Sequence, residues 1–304
     1  MKYLAKEHHI FSMSPENKPA LYVNNQEIFQ LQTLDCFCGR LKKDGICPPE
    51  ALNQPCNPAT GPVYINGAMP GDTLKIEILK IDVEKQGITE IDTDFGVLPH
   101  LVKNSLAKTL PIQENKILFH RDSRSDLQFD LQPMIGVIGV SPREGSIPTD
   151  TPDIHGGNLD CTQIREGSCL YLPVQVPGAL LALGDLHACM GDGEIGGCGA
   201  EIAGEVTLRV SVISGQQKPY PIVETEEKLI ILASGKTLDE ACEAAAEAFC
   251  DFLVSEMEFT SEDAVMLLSL VGNLFVCQAV NPQKTVGVWV WKKIIFFQTT
   301  KKLL

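Results

Sequence analysis

Apolar and polar positions alternate along residues 73–81 (TLKIEILKI) and again along 205–212 (EVTLRVSV). This is the two-residue period of a strand with one buried and one solvated face. Residues 134–140 (MIGVIGV) are apolar throughout, which predicts a strand covered on both sides. Pro and Gly break the first two thirds of the chain into short pieces, at Pro58 to Pro62, Pro70-Gly71, Pro173 and Pro177-Gly178. That rhythm predicts a β-sandwich or barrel. After Ser234 the period becomes helical: residues 238–257 are rich in Ala and Glu, with Leu238, Cys242, Ala245, Phe249 and Leu253 recurring on one face. A second helix is predicted from Ser261, whose hydroxyl would cap it ahead of Glu262 and Asp263. Strands around Ile230 and Val276 would flank the pair, and residues 286–297 (VGVWVWKKIIFF) read as a closing strand. The expected fold is α+β and mostly β. A β-rich sandwich- or barrel-like core would occupy residues 1–215 and carry the site, and a smaller α/β part with two helices would occupy 216–304.

Composition narrows the partners. The 304 residues are 44% hydrophobic and 21% charged, which supports a substantial buried core. A formal net charge of −14, with no basic patch beyond Lys292-Lys293 and Lys301-Lys302, argues against nucleic acid or an anionic membrane surface as the main partner. No apolar stretch reaches the length of a membrane span, and the N-terminal MKYLAKEHHIFSM has neither an apolar core nor a small-residue cleavage site. A cytoplasmic protein is therefore expected. Its eleven cysteines are scattered, with no CxxC pair, and read as reduced thiols that pack like small hydrophobes.

The chemistry gathers between His155 and Glu201. Asp185, His187, Asp192 and Glu194 follow directly on the apolar run Ala179 to Leu183, and HGGNLD occupies 155–160. Ionised groups beside a core cost several kcal/mol unless compensated, and a cation is the usual compensation for so acidic a cluster. Residues two apart on a strand share a face, so Asp185 and His187 would point into one pocket, as would Asn158 and Asp160. Taken singly, HGGNLD is a Gly-Gly turn and GDGE an exposed hairpin; their coincidence favours a metal site. Asp35, after the strand-like residues 29–34, and His100, after a Gly-Val-Leu-Pro turn, could complete it from distant loops. Cys161 and Cys189 could in principle serve as nucleophiles beside Asp160 and His187, but core packing accounts for them better. No nucleophile elbow, phosphate loop or dinucleotide fingerprint occurs, and no Lys or Arg lies between Arg165 and Arg209 to hold a substrate carboxylate.

At these residues the chain resembles the acetamidase/formamidase family of metal-dependent amide hydrolases. The resemblance is carried by NPATGPVY (57–64), GAMPGD (67–72), PMIG (133–136) to Ser141-Pro142, HGGNLD (155–160) and GDLHACMGDGE (184–194). It covers about two thirds of the chain, from near Asp35 to Val212, and fits residues 286–304 least. It implies hydrolysis of short neutral amides such as formamide and acetamide to the acid and ammonia, by a water that a divalent ion activates, in a cytoplasmic homodimer. The ligands it points to are Asp160, Asp185, His187 and Glu194, with Asp35, His100 and His155 behind them. Glu194, Glu201 and Asp192 are the candidates for proton transfer. Zinc suits the imidazole with carboxylates, and calcium would suit the additional oxygens. Two other classes compete: a cupin-type metal oxygenase using His155, His187 and a carboxylate, and a non-catalytic β-sandwich binding protein stabilised by calcium.

Overall fold

The computed structural model describes residues 1–121 and 124–296. Two large sheets form the frame of the fold. The first runs, edge to edge, through Lys2–Leu4, Ile28–Thr33, Gly204–Ile213, Thr73–Val83, Cys169–Pro173, Ile222–Glu224, Lys228–Gly235, Lys284–Trp291 and Asn273–Gln278. The second runs through Leu127–Asp130, Lys116–Phe119, Leu106–Gln113, Gln86–Ile91, Glu201–Ile202, Leu181–His187, Met134–Gly139 and Gly156–Asn158, with Ala59–Ile65 branching from Leu181–His187. Neither path closes on itself, so the β core is a sandwich and not a barrel.

The alternation read from the sequence sets the faces. Leu74, Ile76 and Ile78 of Thr73–Val83 and Val206, Leu208 and Val210 of Gly204–Ile213 point inward, in antiparallel register with one another. They meet Ile135, Ile138, Leu183 and Leu186 from the second sheet in one continuous core. Met134–Gly139 and Leu181–His187 are buried along their whole lengths, as the unbroken apolar run at 134–140 requires.

Beyond residue 215 the first sheet continues, because Ile222–Glu224 pairs with Cys169–Pro173. The helices Leu238–Met257 and Ser261–Val271 cover this end. Ala241, Ala245, Phe249 and Leu253 pack on Leu229, Ile231, Val286 and Val288 in a core of their own. The first helix opens with a reciprocal cap: Thr237 Oγ1 accepts from the Glu240 amide, and the Glu240 carboxylate accepts from the Lys236 amide. The second helix is capped by Thr260, whose hydroxyl accepts from the Asp263 amide, and not by Ser261, which is its first helical residue. The closing strand ends at Trp291, where the chain turns into the short helix Lys292–Ile295; Phe297 and the tail to Leu304 lie outside the described residues. No described helix is long and apolar enough to cross a membrane.

Candidate active site and metal centre

Strand pairing brings the reactive side chains together. His187 is the register partner of both Met134 and Glu201, and Glu201 pairs in turn with Ile88. Asp185 Oδ1 lies 3.7 Å and Glu201 Oε1 3.1 Å from His187 Nε2. Asp160 arrives on the turn after Gly156–Asn158, and Glu194 on the loop between Leu181–His187 and Glu201–Ile202. Ligand atoms of Asp160, His187 and Glu194 lie within 4.8 Å of one another, and so do those of Cys36, Asp185 and Glu201.

The backbone is bent to achieve this. Asp160, Asp185 and Glu194 have φ of +44°, +55° and +47°, in the left-handed region that side chains other than glycine seldom enter. Such conformations cost on the order of 1–3 kcal/mol each and persist where the surroundings impose them, often at functional sites. Facing them, Gly136 has room for no side chain: a Cβ there would sit 2.6 Å from both Asp160 Oδ1 and Asp185 Oδ2.

Five carboxylates and imidazoles of this cluster, those of Asp160, Asp185, His187, Glu194 and Glu201, are buried. Burial first, and neighbouring carboxylates second, push the Asp160 carboxyl up to about 7 and the Asp185 carboxyl up to about 6, and hold Glu194 well above the carboxylate range. Burial pulls His187 down, but Glu201 and Asp185 outweigh it and raise it well above the ordinary imidazole value. Asp160 Oδ1, His187 Nδ1, Glu201 Oε2 and the nearby Asn158 Oδ1 are buried without a hydrogen-bond partner among the described residues. Buried oxygens left unpaired beside an imidazole, with more negative charge than the cluster can balance, are what a divalent cation would satisfy. The donor set fits a metal.

Asp185, Glu194 and Glu201 of the cluster line a cavity of about 290 Å³, while Asp160 and His187 stand outside its lining. Asn158 lines it as well, Phe37, Leu52 and Phe95 give it apolar walls, and Asn57 and Asn281 add amide groups. Asn57 Nδ2 donates to Asp185 Oδ2 at 3.4 Å, and Asn281 Nδ2 to Asp160 Oδ2 at 2.7 Å.

The sequence matches the Acetamidase/Formamidase family over residues 6–150 and 143–281, which take in every residue lining the cavity except Pro282. The chain belongs to that family. The fold agrees: the acetamidase of Bacillus halodurans is 40% identical with a TM-score of 0.94, over 98% of this chain and 100% of that one. A protein of Thermoanaerobacter tengcongensis described as a predicted acetamidase/formamidase is likewise 40% identical, with a TM-score of 0.93 over 99% of each chain. The formamidase of Methylophilus methylotrophus is 39% identical over 104 residues, 31% of this chain but only 25% of that protein's length.

The remaining residues singled out in the sequence fall elsewhere. Asp35 is half-buried and turns back to accept from the Gly39 amide at 2.8 Å. His100 is exposed on the turn Pro99–Leu101. His155 is fully buried but does not line the cavity, and burial brings it down to about 4, so it stays neutral. Asp192 is exposed and accepts from Thr162 Oγ1 at 2.7 Å. With one imidazole at the cluster among the described residues, the two-histidine triad of an oxygenase is not assembled. Cys161 belongs to the core and Cys189 packs against it. The cysteines that do line the cavity are Cys36, Cys56 and Cys198; burial holds Cys36 and Cys198 as thiols, Cys198 at about 12, while Cys56 is exposed.

The cavity also holds residues that no sequence pattern marked: Glu90, Asn281, Cys36 and Arg40. They come from segments far apart in the chain and meet only in the folded structure.

Proposed function

We propose that this protein hydrolyses short aliphatic amides, formamide and acetamide among them, to the carboxylic acid and ammonia. The observation that carries the reading is the buried cluster of Asp160, Asp185, His187, Glu194 and Glu201, three of which line a small cavity, in a member of this family. Asp160, Asp185, His187 and Glu194 would hold a divalent ion, and zinc suits an imidazole combined with carboxylates. When bound, the ion supplies Lewis acidity toward the amide oxygen and lowers the pKa of water, which an unactivated amide requires.

The chain's own groups do the rest. Glu201 Oε1 is held by the Gly199 amide at 2.9 Å and by His187, while Oε2 has no partner among the described residues. That free oxygen accepts a proton from the attacking water and returns it to the departing nitrogen. Asn57 and Asn158 present amide groups that orient a small planar substrate. Phe37, Leu52 and Phe95 exclude water from the acyl side, and the cavity volume limits the acyl group to a few carbons. The β-rich residues 1–215 carry the reacting groups, and 216–304 contribute Asn281, which fixes Asp160. Free thiols at all eleven cysteines fit a reducing, cytoplasmic setting, and we assign the protein there as a homodimer.

The test is ammonia release from formamide and acetamide by protein of measured metal content. Turnover that chelation abolishes and zinc restores is expected. Full turnover by metal-free protein, or no turnover of either amide by zinc-loaded protein, would contradict the proposal.

A further inference from the structure

The cavity contains a second group of carboxylates that amide hydrolysis does not use. Glu90 lies on Gln86–Ile91, two residues past Ile88, the register partner of Glu201. Residues two apart share a face, so Glu90 stands on the Glu201 side of the sheet, about 7 Å further along the strand. It is 6% exposed, lines the cavity, and its Oε1 has no hydrogen-bond partner among the described residues. Asp92 and Asp150 line the cavity as well. Asp92 Oδ1 accepts from the Asp94 amide and Thr93 Oγ1, and Asp150 Oδ1 accepts from Thr151 Oγ1.

None of these three carboxylates enters an ion pair among the described residues. Arg40 is the cation of the cavity wall, and its guanidinium is committed to the carbonyls of Ala51 and Pro55 at 3.1 and 2.9 Å. Nor do the three converge to the spacing of a metal-ligand set. All three belong to the lining of one cavity, and Glu90 brings to it a buried oxygen without a partner among the described residues. A buried carboxylate is expensive to leave unpaired, and a low-dielectric cavity focuses its field on whatever enters.

We propose that Glu90, supported by Asp92, is a subsite for a cationic nitrogen of the substrate, so that the favoured amides carry an ammonium group a few bonds from the scissile carbonyl. The inference rests on the amide-hydrolysis reading and names the substrate class within it. Burial, then Asp92 and Glu201, push the Glu90 carboxyl up to about 7, so that a cation docking beside it completes an ionisation already under way near neutral pH. A substrate carboxylate would meet the same groups as repulsion.

Paired substrates of matched shape test it: glycinamide against propionamide, and β-alaninamide against butyramide, at pH 7. The account expects the zinc-loaded protein to favour the cationic member by about tenfold in kcat/KM, with the preference shrinking as salt is added. Glu90→Gln, which keeps the side-chain shape, should bring the cationic-to-neutral ratio close to one. The salt dependence is read on the unaltered protein, so the test stands even where the variant folds poorly. Turnover of neutral amides with no cationic preference, or a preference that survives Glu90→Gln, overturns the subsite and leaves the amidase reading standing. Absence of turnover on every amide overturns both.

Discussion

His187 and Glu201 face each other across the pairing of Leu181–His187 with Glu201–Ile202, and their side chains meet at 3.1 Å between Nε2 and Oε1. The contact ties a proposed metal ligand to the proposed proton carrier in one rigid ladder. Glu201→Gln preserves the shape but cannot take up a proton. We expect it to retain bound metal while turnover of acetamide falls by about 100-fold or more. Parallel loss of metal would place Glu201 among the ligands instead.

Gly136 supplies a second test, because the space it leaves is filled by Asp160 Oδ1 and Asp185 Oδ2. Gly136→Ala forces a methyl group against both carboxylates and against the Asp185 carbonyl oxygen, 2.9 Å away. Overpacking of this kind costs about 1–3 kcal/mol. We expect a lower unfolding midpoint together with weakened zinc binding by equilibrium titration. Unchanged zinc affinity would show that the two carboxylates do not act as a pair.

The pH dependence of stability has a definite sign. Asp160 and Asp185 titrate in the folded, metal-free protein near 7 and near 6, and Glu194 is also raised, whereas unfolded carboxyls titrate at about 4. Between those limits the folded state binds more protons, so metal-free protein loses stability as pH rises from about 4 to about 7. Metal binding needs the same groups ionised and releases those protons. The gap in Tm between zinc-loaded and metal-free protein should therefore widen over pH 5–7. A gap independent of pH would separate these carboxyls from the metal.

Thr260→Ala removes the hydroxyl that caps Ser261–Val271, a helix no residue of which lines the cavity. A loss of about 1 kcal/mol in denaturant unfolding, with kcat/KM for acetamide unchanged, is expected. A drop in kcat/KM would connect this helix to the site.

That cap also shows where sequence reading slips by one position. Thr260 and Ser261 are adjacent and both are good caps, and only the extended backbone of Thr260 distinguishes them. The sandwich strands and both long helices were legible because their periodicities are local properties. Asp185 and His187 were legible for the same reason, being two apart on a strand that follows an apolar run. Asn281 was not: it reaches Asp160 across 121 positions of sequence, and nothing near it marks the contact. Glu90 was hidden likewise, since its place on the cavity wall follows from the pairing of Ile88 with Glu201. Arg40 alters one expectation drawn from the 165–209 segment, for the cavity does include a cation, although one held by backbone carbonyls.

The most direct test of the central claim is to measure bound metal and ammonia release on the same preparations of wild type, His187→Ala and Asp185→Asn. If the two side chains hold the ion, each substitution lowers metal occupancy and turnover together, by about tenfold or more, because a site that loses a ligand loses both affinity and Lewis acidity. Wild-type turnover in both variants, or full metal occupancy with unchanged kcat, would contradict a metal-dependent amidase built on this cluster.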